Sequence, residues 1–377
     1  MLGPARRESV SPPRFARTGA ALALSVGCTC GSALGAAELD VVVSIKPVHS
    51  LVAGVMDGTG EPTLLVKGTG SEHSYSLRPS EARALEQAAV VFWVGETMET
   101  FLVKPLQALA GDATVVELWQ APGLTLLATR EGGMWQAHEH GHEDADADEG
   151  GHAEEHASEG EHEAEHADEH EGEHAEEHEE EGEHAEEHEG TGEHAEADHV
   201  DGETDMHVWL DPGNAKMLTA AIASVLSEAD PENASIYQAN AARLRQQLDE
   251  LDGSLEDKLA TIADRPYVVF HDAYQYFEHR YGVKAVGAIA INPTLRPSAQ
   301  RLAEIQDQLE QLDAACVFAE PQFEPALVDT VIEGTNAKKG VLDPLGAALD
   351  SGPDQYFKLM NDLADSLVSC LSRAQSG

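Results

Sequence analysis

Fourteen of the chain's nineteen histidines lie between His138 and His199. This tract repeats Gly-Glu-His-Ala-Glu-Glu-His, most clearly at residues 172–178 and 182–188. Residues 138–205 contain thirty-one Asp and Glu and no Lys or Arg, so they carry most of the net charge of -46. Such a segment has almost nothing apolar to bury, cannot offset its ordering entropy, and is expected to be disordered. Imidazole and carboxylate together are ligands for zinc and its neighbours in the first transition row. A solvating acidic linker would explain the Glu but not the recurring histidines, so the tract reads as metal-attracting. Residues 162–166 and 170–174 match H-E-x-x-H, the zinc-protease helix signature. That motif needs an amphipathic helix presenting both histidines to one ion, with Glu163 or Glu171 poised on its water. The tract has no apolar face and Gly172 interrupts one match, so peptide cleavage is not expected.

Of the five remaining histidines, three stand where a fold could bring them together. His73 follows an apolar run at 63–66, His207 follows the tract in Met206-His207-Val208-Trp209-Leu210, and His271 directly follows Tyr267-Val268-Val269-Phe270. In open α/β sheets ligands gather beyond the carboxyl ends of the strands, and all three histidines fall there. Three imidazoles and one further donor suit tetrahedral zinc, with nitrogen ligands at roughly 2.0–2.1 Å. For the fourth position Glu72 and Asp343 compete, with water as a third candidate. Glu320 is similarly placed, but Pro321 stiffens its turn and a structural role is expected. His49 and His279 lack the strand-end placement and are read as structural.

The elements that must position these residues follow from periodicity. Short apolar runs at 41–45, 63–66, 90–94 and 114–117 alternate with helix-like segments at 46–56, from 79 onward, and at 98–109. Strands alternating with helices indicate βαβ units and a mostly parallel sheet. After the tract a helix is expected at 213–227. A long one follows at 233–262, where Leu244, Leu248, Leu251, Leu255, Leu259 and Ile262 form one apolar stripe. The pattern then repeats, with strands at 267–270, 284–289, 315–319 and 340–342. Helices are expected at 273–281, 298–311, 325–334 and 354–372. The fold class is therefore α/β: two similar lobes, each a mostly parallel four-stranded sheet with flanking helices. One long rigid helix joins them, and the metal site lies in the cleft between. The expected organisation is a signal peptide at 1–37, an N-terminal lobe at 38–137 and 206–231, and a disordered insert at 138–205. A linking helix at 232–263 and a C-terminal lobe at 264–377 complete it.

Length and compartment agree with this division. The 377 residues suggest two or three domains. Arg6, Arg7, Arg14 and Arg17 precede an apolar run at 20–26, and small residues follow up to Gly35-Ala36-Ala37, as in an export signal. The residues around Arg6-Arg7 fit twin-arginine export poorly, and those before Cys28 fit lipid attachment poorly, so a soluble exported protein is expected. After cleavage two cysteines remain, Cys316 and Cys370, and in an exported domain such a pair is expected to form a disulfide. The acidity argues against nucleic acid and anionic membrane surfaces as partners.

Several motifs agree in order with one family. Ser71-Glu72-His73-Ser74-Tyr75-Ser76-Leu77-Arg78-Pro79-Ser80, Met206-His207-Val208-Trp209-Leu210 and Phe270-His271-Asp272-Ala273-Tyr274-Gln275-Tyr276-Phe277 are three of them. Cys316-Val317-Phe318-Ala319-Glu320-Pro321-Gln322-Phe323 and Leu342-Asp343-Pro344-Leu345-Gly346 are the others. The chain resembles the ZnuA family, the zinc-binding components of bacterial high-affinity zinc ABC importers, from about residue 40 to its end, apart from the tract. The resemblance implies Zn2+ as transported ligand, held between the lobes by His73, His207 and His271. Glu72 serves as fourth ligand in the family, and an Asp at the position of Asp343 does so in relatives. It also implies a Cys316–Cys370 disulfide, a periplasmic location, and an ABC permease with its cytoplasmic ATPase as partner. A monomer that is not an enzyme is expected, as is modest lobe motion. The rival reading is a metal-buffering protein acting through the tract.

Overall fold

The computed structural model describes residue 3 and residues 39–132, 135, 203–312 and 314–372. The expected signal peptide, Gly3 apart, and almost all of the expected insert fall outside the described residues.

The first sheet is built from β1 (Val41–Val43), β2 (Thr63–Leu64), β3 (Val90–Trp93) and β4 (Thr114–Glu117), all parallel in the order β2-β1-β3-β4. Continuous runs such as Val41-Val42-Val43 are buried throughout because helices cover both faces of a parallel sheet. Its helices are α1 (Lys46–Val55), α2 (Pro79–Gln87) and α3 (Thr100–Leu109). Pro47 and Pro79 stand in the first turns of α1 and α2, where a missing N–H costs nothing. After the tract come α4 (Pro212–Ala229), capped by the Asp211 side chain on the Gly213 amide, and α5 (Ala234–Leu259).

The second sheet repeats the first. It comprises β5 (Tyr267–His271), β6 (Ala285–Ala290), β7 (Cys316–Ala319) and β8 (Lys338–Val341), parallel in the order β6-β5-β7-β8. Its helices are α6 (Gln275–Tyr281), α7 (Ala299–Gln311), α8 (Pro325–Ile332) and α9 (Gln355–Ser372). Gly282 ends α6 in the left-handed conformation at φ 67°. β8 starts earlier than its apolar residues suggest. It is an edge strand whose exposed Lys338 and Lys339 hide it from a search for apolar runs.

The long helix α5 runs about 39 Å at 1.5 Å per residue and is packed along its length. Its stripe of Tyr237, Ala241, Leu244, Leu248, Leu251, Leu255 and Leu259 is buried against α1 and α4 of the first half and α6 and α9 of the second. One hydrophobic cluster therefore extends from Val41 to Leu371 through both sheets. Each fully buried leucine in it contributes roughly 1.5–3 kcal/mol relative to exposure. Cys316 of β7 and Cys370 of α9 form a disulfide with Cα atoms 6.3 Å apart, stapling the last helix to the second sheet. Among the described residues no helix is long and apolar enough to cross a membrane.

Residues 203–205, inside the segment expected to be disordered, are held in place. Thr204 pairs with Ala128 in an antiparallel bridge, the Asp205 amide donates to the Leu127 carbonyl at 2.9 Å, and Asp205 is buried. Composition hid this, because Glu203, Thr204 and Asp205 look like the acidic tract they terminate.

Candidate metal centre

His271 is the last residue of β5, a central strand. Strand order reverses between β5 and β7, and the crevice at such a switch point is where open α/β sheets bind ligands. Glu320 directly follows β7 on the neighbouring strand, so the two side chains meet. The His271 Nδ1–H donates to Glu320 Oε1 at 2.8 Å, which leaves Nε2 as the lone-pair nitrogen. His207 is fixed in a comparable way, with Nδ1 2.8 Å from Asp205 Oδ1 and its backbone N–H donating to the same oxygen at 3.0 Å. The turn after it is locked by the Trp209 indole, which donates to the Pro344 carbonyl at 2.9 Å. The Tyr356 hydroxyl in turn donates to the Trp209 carbonyl at 2.7 Å. His73 sits in the irregular loop between β2 and α2, where its backbone N–H donates to Ser71 Oγ at 3.3 Å.

These three histidines converge. Ring centroids are 5.8 Å apart for His73–His207, 5.4 Å for His73–His271 and 5.4 Å for His207–His271. Glu72 joins them, 2 % exposed, and one donor atom from each of the four residues lies within 4.8 Å of the others. Tetrahedral nitrogen ligands about 2.0–2.1 Å from one zinc are roughly 3.4 Å apart, so side-chain adjustment of about an ångström completes the shell. Nε2 of all three histidines and Oε1 of Glu72 are buried without a hydrogen-bond partner among the described residues. Buried polar atoms are ordinarily partnered. Four unpartnered donors facing one another fit a cation with nitrogen and oxygen ligands.

The electrostatics hold the His73 ring in the neutral, ligating form. Burial, then the neighbouring His271 and His207, push the His73 imidazole down to about 2. Burial also pulls His271 down, but the Glu320 charge and hydrogen bond more than offset it, and the net direction is up. Burial raises the Glu72 carboxyl above its ordinary range, against the opposing pull of His271 and His207.

Of the residues singled out in the sequence, Glu72, His73, His207 and His271 are brought together and Asp343 is not. The Asp343 carboxylate organises its own loop, accepting from the amides of Leu345, Gly346 and Ala347 and from Gln322 Nε2 at 2.8 Å. Gly346, at φ 64°, allows that turn. His49 bonds the Pro62 carbonyl at 3.0 Å, and His279 is exposed. Glu320 is structural in a more specific sense than Pro321 suggested, since it orients a ring of the cluster. Asp205 was missed altogether; its one signal in the sequence is an acid two residues before His207.

A cavity of about 400 Å³ opens outward from the histidines, bordered by Arg130, Trp135, Glu203, Asp272 and Asn292 among others.

Two lobes of parallel sheet around a His/Glu cluster define a metal-binding solute-binding protein of transport type. A family model described as zinc-uptake complex component A, periplasmic, matches residues 41–370, and the chain belongs to that ZnuA family. A Brucella suis biovar 1 (strain 1330) relative called high-affinity zinc uptake system protein ZnuA is 50 % identical over 344 residues, covering 91 % of this chain and 95 % of its own. A Yersinia pestis protein of the same name is 35 % identical over 337 residues, covering 89 % and 92 %. A crystal structure of ZnuA superposes with TM-score 0.61 at 21 % identity, covering 87 % of this chain and 99 % of that one. The periplasmic zinc-binding protein TroA from Treponema pallidum superposes with TM-score 0.63 at 20 % identity, covering 88 % and 98 %. At these identities the structural matches establish the fold. The disulfide and the zinc-uptake membership expected from the sequence are both borne out.

Proposed function

We propose that this protein captures periplasmic Zn2+ between its lobes with His73, His207, His271 and Glu72 and delivers it to a membrane ABC permease. The observation that carries the reading is the convergence of four buried, unpartnered donor atoms from both halves of the chain. Three neutral imidazoles and one carboxylate favour zinc over manganese by ligand type. No bond is made or broken in this function; the ion is cargo. The 138–205 segment assists as a weaker, multiple metal binder, and α5, packed against both halves, restricts release to local motion.

Zinc titration calorimetry tests this on the full chain and on a version lacking residues 138–199. Both are expected to keep one tight site, and His73→Ala in the shortened protein is expected to abolish it. A shortened protein that binds zinc only weakly would instead make the tract the site.

A further inference from the structure

Just before the acidic tract, residues 127–130 cross between the two ligand-bearing halves. On one side this crosspiece holds the approach to His207: the Asp205 amide donates to the Leu127 carbonyl at 2.9 Å and the Thr129 amide to the Glu203 carbonyl at 2.7 Å. Asp205 in turn carries the His207 ring. On the other side the crosspiece is gripped by residues that follow His271. The Leu127 amide donates to the Tyr276 hydroxyl at 3.1 Å, which itself donates to the Asp205 carbonyl at 2.7 Å. Gln275 Nε2 donates to the Ala128 carbonyl at 3.0 Å.

The grip is strongest at Arg130. Its Nε and Nη2 donate to both oxygens of Asp272, the residue next to His271, and Nη1 donates to Glu278 Oε2 at 2.7 Å. The ring of Trp135 stacks on the guanidinium, 3.7 Å from Cζ to centroid. Glu278 is 5 % exposed and sits on α6, so its charge is tolerated only beside a fixed cation. A guanidinium grips both oxygens of one carboxylate through its planar fork while a further N–H reaches the second, a fixed geometry that an ammonium does not supply.

We infer that Arg130 is a positioning residue for the metal centre: through Asp272 on one side and the 127–130 crosspiece with Asp205 on the other, it sets the separation of His207 and His271. This rests on the four-residue reading of the centre. Neither sheet fixes that separation, because His271 ends a strand of the second sheet while His207 lies on a turn outside either. The crosspiece is a short connection between them that touches the support of one ligand and the neighbour of the other, beside the direct bond from Tyr276 to the Asp205 carbonyl.

The test uses the full-length protein and Co2+ as a spectroscopic stand-in at one equivalent, with zinc affinity and release read by competition with a chromophoric chelator. Wild type is expected to give the intense visible bands of four-coordinate cobalt; if it does not, the four-residue reading itself fails. In Arg130→Met combined with Asp272→Asn and Glu278→Gln, no buried charge is left unpaired. This triple variant is expected to show a changed cobalt spectrum, zinc bound about ten- to hundredfold more weakly, and faster release. Arg130→Lys keeps the charge without the fork and is expected to shift the spectrum in the same direction. Zinc-free melting establishes that each variant is folded, and the lysine variant carries the comparison if the triple variant is not. Folded variants with the wild-type spectrum and zinc affinity within twofold would overturn the inference and leave Arg130 a purely structural ion-pair residue.

Discussion

The first sheet presents Glu72 and His73 from the middle of an irregular loop after β2, whereas the second ends β5 on His271 itself. The His271 ring is braced by Glu320 at 2.8 Å, while the brace on His73 is a backbone N–H to Ser71 at 3.3 Å. A ligand at a strand end inherits the precision of the ladder that carries it, and a ligand in a loop can move without disturbing a sheet. Two sheets of the same strand order thus present their donors differently: the second holds His271 on its ladder against Glu320, and the first holds Glu72 and His73 on a loop.

Removing a histidine from the cluster should have the largest effect. Zinc sites of four protein ligands bind with about 10–16 kcal/mol, so losing one ligand costs about 3–4 kcal/mol, between two and three powers of ten in affinity. His271→Ala and His207→Ala should show this loss in chelator competition. Loss from His73→Ala alone, with His271→Ala harmless, would reverse the comparison. Next in size is the staple on the second sheet. Cys370→Ser opens a cross-link spanning 54 residues and should cost about 2–4 kcal/mol in denaturant unfolding, with zinc affinity unchanged.

Glu320→Gln sharpens the comparison through pH. Glu320 more than offsets the burial that pulls His271 down, so in wild type a proton competes with zinc at this ring before it does at His73 as pH falls. Without the charge the ring binds its proton less tightly, and zinc loss should begin at lower pH. Near pH 8 the less basic ring should bind zinc about tenfold more weakly. A zinc-occupancy profile against pH reads both effects, and a midpoint that moves upward would contradict them. Smallest of all, Ser71→Ala should change affinity less than about threefold, since it removes one long hydrogen bond at a partly exposed loop.

Much of this was legible in the chain. Buried parallel strands announce themselves as apolar runs, the α5 stripe repeats at helical spacing, and strand-end placement picked out His73, His207 and His271 from nineteen histidines. What stayed hidden depended on partners distant in sequence. Glu72 and Asp343 are equally plausible as text; packing buries the first beside the rings and turns the second onto three amides of its own loop. Asp205 carries no mark separating it from the acids before it, because its role comes from a bridge to residues 127–129. Arg130 reads as one charge in a loop until Asp272 and Glu278, more than 140 positions later, are placed around it.

The first half of the chain leans on the last. Lys46 donates to the carbonyls of Ala347 and Leu349 at 2.6 and 2.8 Å, and Ser50 on α1 bonds the Pro353 carbonyl and the Tyr356 amide at 2.9 and 3.0 Å. Some three hundred residues separate these partners, and α1 also packs on α9. Contacts of such sequence separation form late, because the loop-closure entropy precedes their reward. Helix α1 therefore keeps an unfinished face until the C-terminal helix arrives. A chain cut before residue 355 loses more than its last helix: the half made first is left without the surface that completes it.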